Sequence, residues 1–134
     1  MRVYIAARTN HRAVASLLSI QLEKHGHAVV STWHEHRDLK HFSENGGEEF
    51  DPDDAMLHAL RDLRELGRAD QLVNISSHTP SNGGKHFETG YMLARGAEIC
   101  LIGRREHVFH HHPRILRFRR PSDYMTFMKE RDEW

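Results

Sequence analysis

Residues 71–102 read QLVNISSHTPSNGGKHFETGYMLARGAEICLI. Gln71 to Ile75 is a short, mostly apolar run of strand length, entered from Ala69-Asp70 and left through the turn-rich SSHTPSNGG. A helical stretch follows from about Lys85 to Arg95 and is stopped by Gly96. Glu98 to Ile102 (EICLI) is a second short apolar run, closed by Gly103. Two buried strands separated by a helix predict parallel pairing, because parallel neighbours need a crossover of about a dozen residues or more.

The same grammar extends in both directions. Upstream, Val3 to Ala7 reads as a buried first strand. From Asn10 to His25 the apolar residues Val14, Leu17, Leu18 and Leu22 recur at helical spacing, with Asn10 as N-cap and Gly26 as stop. His27 to Thr32 (HAVVST) predicts a second strand, and the polar, aperiodic stretch from Trp33 to Phe50, with Asn45-Gly46-Gly47, a long loop. Asp51-Pro52 opens a helix whose Met56, Leu60, Leu63 and Leu66 face one side up to Gly67. Downstream, after RREHVFHHHP, Ile115 to Phe118 predicts a fifth strand and Pro121-Ser122-Asp123 starts a last helix carrying Tyr124, Phe127 and Met128. The order β-α-β-α-β-α-β-β-α predicts an α/β fold: a flavodoxin/Rossmann-like doubly wound sheet of about five parallel strands, with helices on both faces. One domain over residues 1–134 is expected at this length. Ligands of such sheets bind beyond the carboxyl ends of the strands, which points to the residues after Ala7, Thr32, Ile75 and Ile102.

Composition narrows the partners. Lys plus Arg equals Asp plus Glu at 19 each, so no global field draws the chain to a nucleic-acid polymer or an anionic membrane. No apolar run has the length of a membrane span, and MRVYIAART is not a signal peptide. Cys100, the single cysteine, fits a reducing cytoplasm. A small-molecule ligand is what this balance favours.

The loop after the third strand concentrates candidate chemistry. Gly83-Gly84 allows close backbone approach, and free N–H groups there favour an oxygen-rich ligand. Glu88 is expected in the first turn of the following helix, where an acidic residue commonly serves only to complement the helix dipole. The same dipole would keep the carboxylate ionised and aimed over the sheet edge, as attack on an anomeric carbon requires. Of the thirteen histidines, His107, His110, His111 and His112 form one cluster, and Trp33-His34-Glu35-His36 holds two more. Without an HExxH or paired CxxC pattern, they predict no metal. Trp33 and Phe42 in the long loop either stack on a planar ligand or pin the loop to the domain.

Three segments in order resemble the nucleoside 2-deoxyribosyltransferase family, which shares its fold with the nucleoside 5′-monophosphate N-glycosidases. V3-Y4-I5-A6-A7 resembles the family's first strand, and D62-L63-x-x-L66-x-x-A69-D70 with Q71-L72-V73 resembles its aspartate segment. G84-K85-H86-F87-E88-T89-G90-Y91-M92-L93-A94-R95-G96 resembles the nucleophile motif. The resemblance implies that Glu88 attacks C1′ and forms a covalent glycosyl intermediate, that Tyr4 orients that carboxylate, and that Asp62 protonates the leaving base. It also implies substrate contacts from Ala6, Arg8, Asn82 and His107, beside the candidates Gly83, Gly84 and Trp33 named above, no cofactor, and a homodimer or larger homo-oligomer. On propensity alone, Tyr4 is equally a core strand aromatic and Asp62 a solvated helix residue.

Two positions depart from the transferase pattern. Six residues before the nucleophile the transferases carry an aspartate for the sugar 5′-hydroxyl; here Asn82 stands in its place. His107 occupies the position of an asparagine that transferases present to a neighbouring subunit's sugar. Loss of the negative charge at position 82 is compatible with phosphate. A protonated His107, with Arg8, Asn10 and Arg12 after the first strand, would suit it. The sequence therefore predicts glycosyl transfer from a nucleoside to another base or water, with nucleoside 5′-monophosphate hydrolysis as the alternative and a non-catalytic nucleotide sensor as the third reading.

Overall fold

The structure, a computed structural model, describes residues 1–35, 51–78 and 83–131. In these, β1 is Arg2–Ala6, α1 Arg12–Lys24, β2 Ala28–Val29, α2 Pro52–Arg68, β3 Gln71–Ile75, α3 Gly84–Ala94, β4 Glu98–Ile102, β5 Ile115–Phe118 and α4 Pro121–Arg131. Single 3-10 turns occupy Thr9–His11, Trp33–Glu35 and Val108–His111. All pairings in the five-stranded sheet are parallel, in the order β2-β1-β3-β4-β5, which is the doubly wound arrangement expected.

The sheet is a buried partition. Every residue of β3 is buried, although Gln71 and Asn74 are polar. Alternation along the strands separates two faces. Gln71 reaches α4, accepting a hydrogen bond from the Tyr124 hydroxyl at 2.6 Å and donating to Glu98 at 2.6 Å. Asn74 points the other way and donates to Thr89 on α3 at 3.0 Å. Tyr4 and Ala6 pair with Leu72 and Asn74, so they share the Asn74 face. α1 packs beside α4 on the opposite side, as right-handed crossovers require.

Three expectations need correction. Asn10 does not cap α1: it lies inside the 3-10 turn Thr9–His11, and His11 takes the cap position. The turn is closed by the His11 N–H donating to the Arg8 carbonyl at 2.9 Å. β2 is two residues long rather than six, because side chains replace its ladder. The Ile5 N–H donates to Ser31 Oγ at 3.0 Å, and the Ile5 carbonyl accepts from the Trp33 indole N–H at 2.6 Å. On α2, Met56, Leu60 and Leu63 face outward, and only Glu65 and Leu66 of that helix are buried. Its predicted start is borne out, with the Asp51 carboxylate accepting from the N–H groups of Asp53 and Asp54.

Candidate active site

The carboxyl ends of β1, β3 and β4 converge with α2 and the start of α3. On the Asn74 face, Tyr4 rises from the middle of β1, fully buried, and its hydroxyl donates to Glu88 Oε2 on α3. Burial raises the Tyr4 pKa well above its ordinary value, and the nearby carboxylates of Glu88 and Asp62 raise it further. Tyr4 is thus a fixed phenol donor to Glu88.

Glu88 is not in the first turn of its helix. α3 starts at Gly84 and has no acidic residue in that turn, so Glu88 lies one turn further in. The dipole effect falls off within the first turn, and burial governs instead. Burial pushes the Glu88 pKa up to about 8; the Tyr4 hydrogen bond pulls it down, while repulsion from Asp62 and Glu65 adds to the rise. The expected permanently ionised carboxylate is therefore a carboxyl group that titrates near neutral pH. Asp62, half-buried on α2, has its own pKa raised by burial against the pull of Arg61, whose guanidinium lies 3.1 Å away. Two acids with raised pKa values facing one phenol are a set suited to proton and glycosyl chemistry.

Two residues of this site were missed. Glu65 is buried one helical turn after Asp62 and grips Thr32 twice, accepting from its backbone N–H at 2.9 Å and its hydroxyl at 2.6 Å. It thereby ties the chain leaving β2 to α2 and adds a third negative charge near Glu88. The only sequence signal was its i, i+3 spacing from Asp62. Asn74 gives its amide N–H to Thr89, whose hydroxyl in turn donates to the Lys85 carbonyl at 2.7 Å. Its Oδ1 is buried and has no protein partner among the described residues. A polar residue within the apolar run QLVNI was the visible sign.

Polar groups of the opposite charge gather beside this set. Lys85, in the first turn of α3, has a side chain 1% exposed and pairs with Glu106 Oε2 at 2.6 Å. Burial lowers the Lys85 pKa, the Glu106 bond opposes this, and Arg8 and Arg104 lower it further. His11 is lowered by burial and by the charges of Lys85 and Arg8. Arg8, His11 and Arg104 thus each lie in electrostatic reach of Lys85, after β1, β3 and β4. Arg104 fastens the loop after β3 by donating to the Ser77 carbonyl at 3.2 Å.

The remaining predicted site residues fall as follows. Ala6 is buried at the carboxyl end of β1 on the Tyr4 face. Gly83 caps α3 in the left-handed region at φ 93°, with no side-chain hydrogen bond to the cap, and Gly84 begins the helix. His107 turns its Nε2 to His86 Nδ1 on α3, 3.0 Å away. Trp33 is 6% exposed with its indole N–H on β1, a geometry that pins the chain and leaves little ring face for stacking. Asn82, Phe42 and His36 lie outside the described residues.

No family model matches the chain, and no curated protein matches it. Solved structures do. The Clostridium botulinum CMP N-glycosidase BcmB is similar over all of both chains, with TM-score 0.62 and 17% identity. A 2-deoxyribosyltransferase from the psychrotolerant bacterium Bacillus psychrosaccharolyticus is similar over 93% of this chain and 90% of its own, with TM-score 0.66 and 18% identity. The chain shares its fold with both, the nucleoside deoxyribosyltransferase-like fold.

Proposed function

We propose that the protein cleaves the N-glycosidic bond of a nucleoside or nucleotide and passes the glycosyl group to a second base or to water. The observation that carries this reading is the Tyr4 hydroxyl donating to Glu88, with Asp62 close enough to raise the pKa of both. Ionised Glu88 attacks C1′ from the face opposite the base. The C1′–N bond breaks as the Glu88 O–C1′ bond forms, and Asp62 delivers its proton to the departing base. A nitrogen of the incoming base, or a water oxygen, then displaces Glu88, and the acceptor's proton returns to Asp62. Two inversions retain configuration and give ping-pong kinetics. The fold neighbours support the reading, one named as a CMP N-glycosidase and the other as a 2-deoxyribosyltransferase. A homo-oligomer in the cytoplasm is the assembly and setting that accompany it.

Hydrolysis of a nucleoside 5′-monophosphate is the second reading. It is favoured by the gathering of Arg8, His11 and Arg104 around Lys85, since a phosphate there would meet net positive charge even after Glu106 neutralises Lys85. Asn82 and His107 belong to the same end by the sequence resemblance.

The deciding experiment follows base release and base exchange by chromatography. Deoxynucleosides and their 5′-monophosphates are incubated with and without a second free base. Exchange into a new nucleoside identifies a transferase; release from monophosphates alone identifies a hydrolase. Turnover surviving in Glu88→Ala would remove Glu88 from the chemistry. Ligand binding without turnover in either protein would leave a nucleotide sensor.

A further inference from the structure

His86 on α3 and His107 and His110 after β4 come from segments some twenty residues apart, yet one ring nitrogen from each lies within 4.8 Å of the other two. His86 Nδ1 and His107 Nε2 face one another at 3.0 Å. Two imidazole lone pairs do not approach so closely unless a proton or a cation lies between them. His110 is buried and tilted over His107, with ring centroids 3.9 Å apart. His107 Nδ1 and His110 Nε2 are buried and have no protein partner among the described residues. Two unsatisfied ring nitrogens in one cluster are costly for a fold that satisfies most of its polar groups.

We propose that His86, His107 and His110 bind one divalent transition-metal cation, of the class that prefers imidazole donors: Zn2+, Ni2+ or Cu2+ rather than Mg2+ or Ca2+. Three neutral imidazoles are a donor set that such ions accept, with a fourth position left for water. Tetrahedral coordination asks for nitrogens about 3.3 Å apart, so His86 and His107 part slightly from 3.0 Å while His110 adjusts from within 4.8 Å. One bond is given up. The Glu106 N–H donates to His110 Nδ1 at 2.9 Å, which puts the neutral ring's proton on Nε2. Coordination through either nitrogen of His110 opens that bond, and its loss weakens the affinity by about tenfold. The bound ion would fasten the first turn of α3 to the loop after β4, and the site does not depend on the chemistry proposed for Glu88.

The test uses the untagged chain, freed of metal with a chelator and titrated calorimetrically with ZnCl2, with MgCl2 as control. The expected result is one equivalent of Zn2+ on this cluster, a raised melting temperature, and no heat with Mg2+. His86→Asn and His107→Asn should each weaken binding by at least about tenfold. His111→Ala, at an exposed neighbour outside the cluster, should leave it unchanged. In case the variants melt early, Co2+ is added to the unaltered chain, where visible d–d absorption of tetrahedral strength reports nitrogen coordination directly. Absence of Zn2+ binding, or binding that His86→Asn and His107→Asn leave intact, would overturn the proposal.

Discussion

Glu88 turns burial into a pH dependence of both rate and stability. With a pKa near 8, the ionised fraction in the free protein grows about tenfold per pH unit below that value, so with a substrate whose base leaves without needing the Asp62 proton, kcat/KM should climb through neutral pH and level off above 8. A flat profile between pH 6 and 8 would show that Glu88 is already ionised in the free protein. The same proton contributes to folding. Because the folded pKa lies above the ordinary value of 4.5, that contribution is complete below about pH 4.5 and is lost as the pH rises towards 8. Glu88→Gln never loses it. In urea denaturation the variant should match the parent near pH 4 and exceed it by roughly 2–4 kcal/mol at pH 9. Tyr4 and Glu88 were legible as a pair from their motifs. Glu65 and Asn74 were not, because each acquires its meaning from a partner the fold brings in: the Thr32 backbone for one, the Thr89 hydroxyl for the other.

Strand and helix boundaries were readable where hydrophobic runs were bounded by turn residues. β3, β4 and β5 begin and end at the expected residues. β2 was overread because HAVVST is strand-like throughout, while Ser31 and Trp33 are spent on hydrogen-bonding β1 with side chains. α2 misled differently. Its periodic Met56, Leu60 and Leu63 mark an apolar stripe correctly, but periodicity carries no information on what the stripe faces. The joint between α3 and the loop after β4 rests on the Lys85–Glu106 pair, which is among the most buried charges in the chain. Lys85→Met leaves the Glu106 carboxylate half-buried without its cation and should cost about 3–5 kcal/mol of unfolding free energy. Lys85→Met combined with Glu106→Gln should recover a good part of it. Equal losses in the single and double variants would mean that the pair contributes through packing alone.

Viewed from outside, the molecule presents apolar surface that its own core does not use. Leu60 is 53% exposed in the middle of the α2 stripe. If the expected homo-oligomer forms through α2, light scattering should give at least a dimer for the parent and a monomer for Leu60→Glu; a monomeric parent would leave the stripe without this role. None of the described helices is long and apolar enough to cross a membrane. At the other extreme sits Cys100, fully buried on β4 with β3 and β5 on either side, its thiol pushed far above the ordinary range by burial. Its side chain shares the Gln71 and Glu98 face, under α4, so an alkylating reagent reaches that sulfur only when this helix leaves the sheet. Fraying at a helix end leaves it untouched. Since it is the one cysteine in the chain, the rate at which the native protein takes up a single label is a clock for departure of α4 from the sheet, built in without any engineered probe.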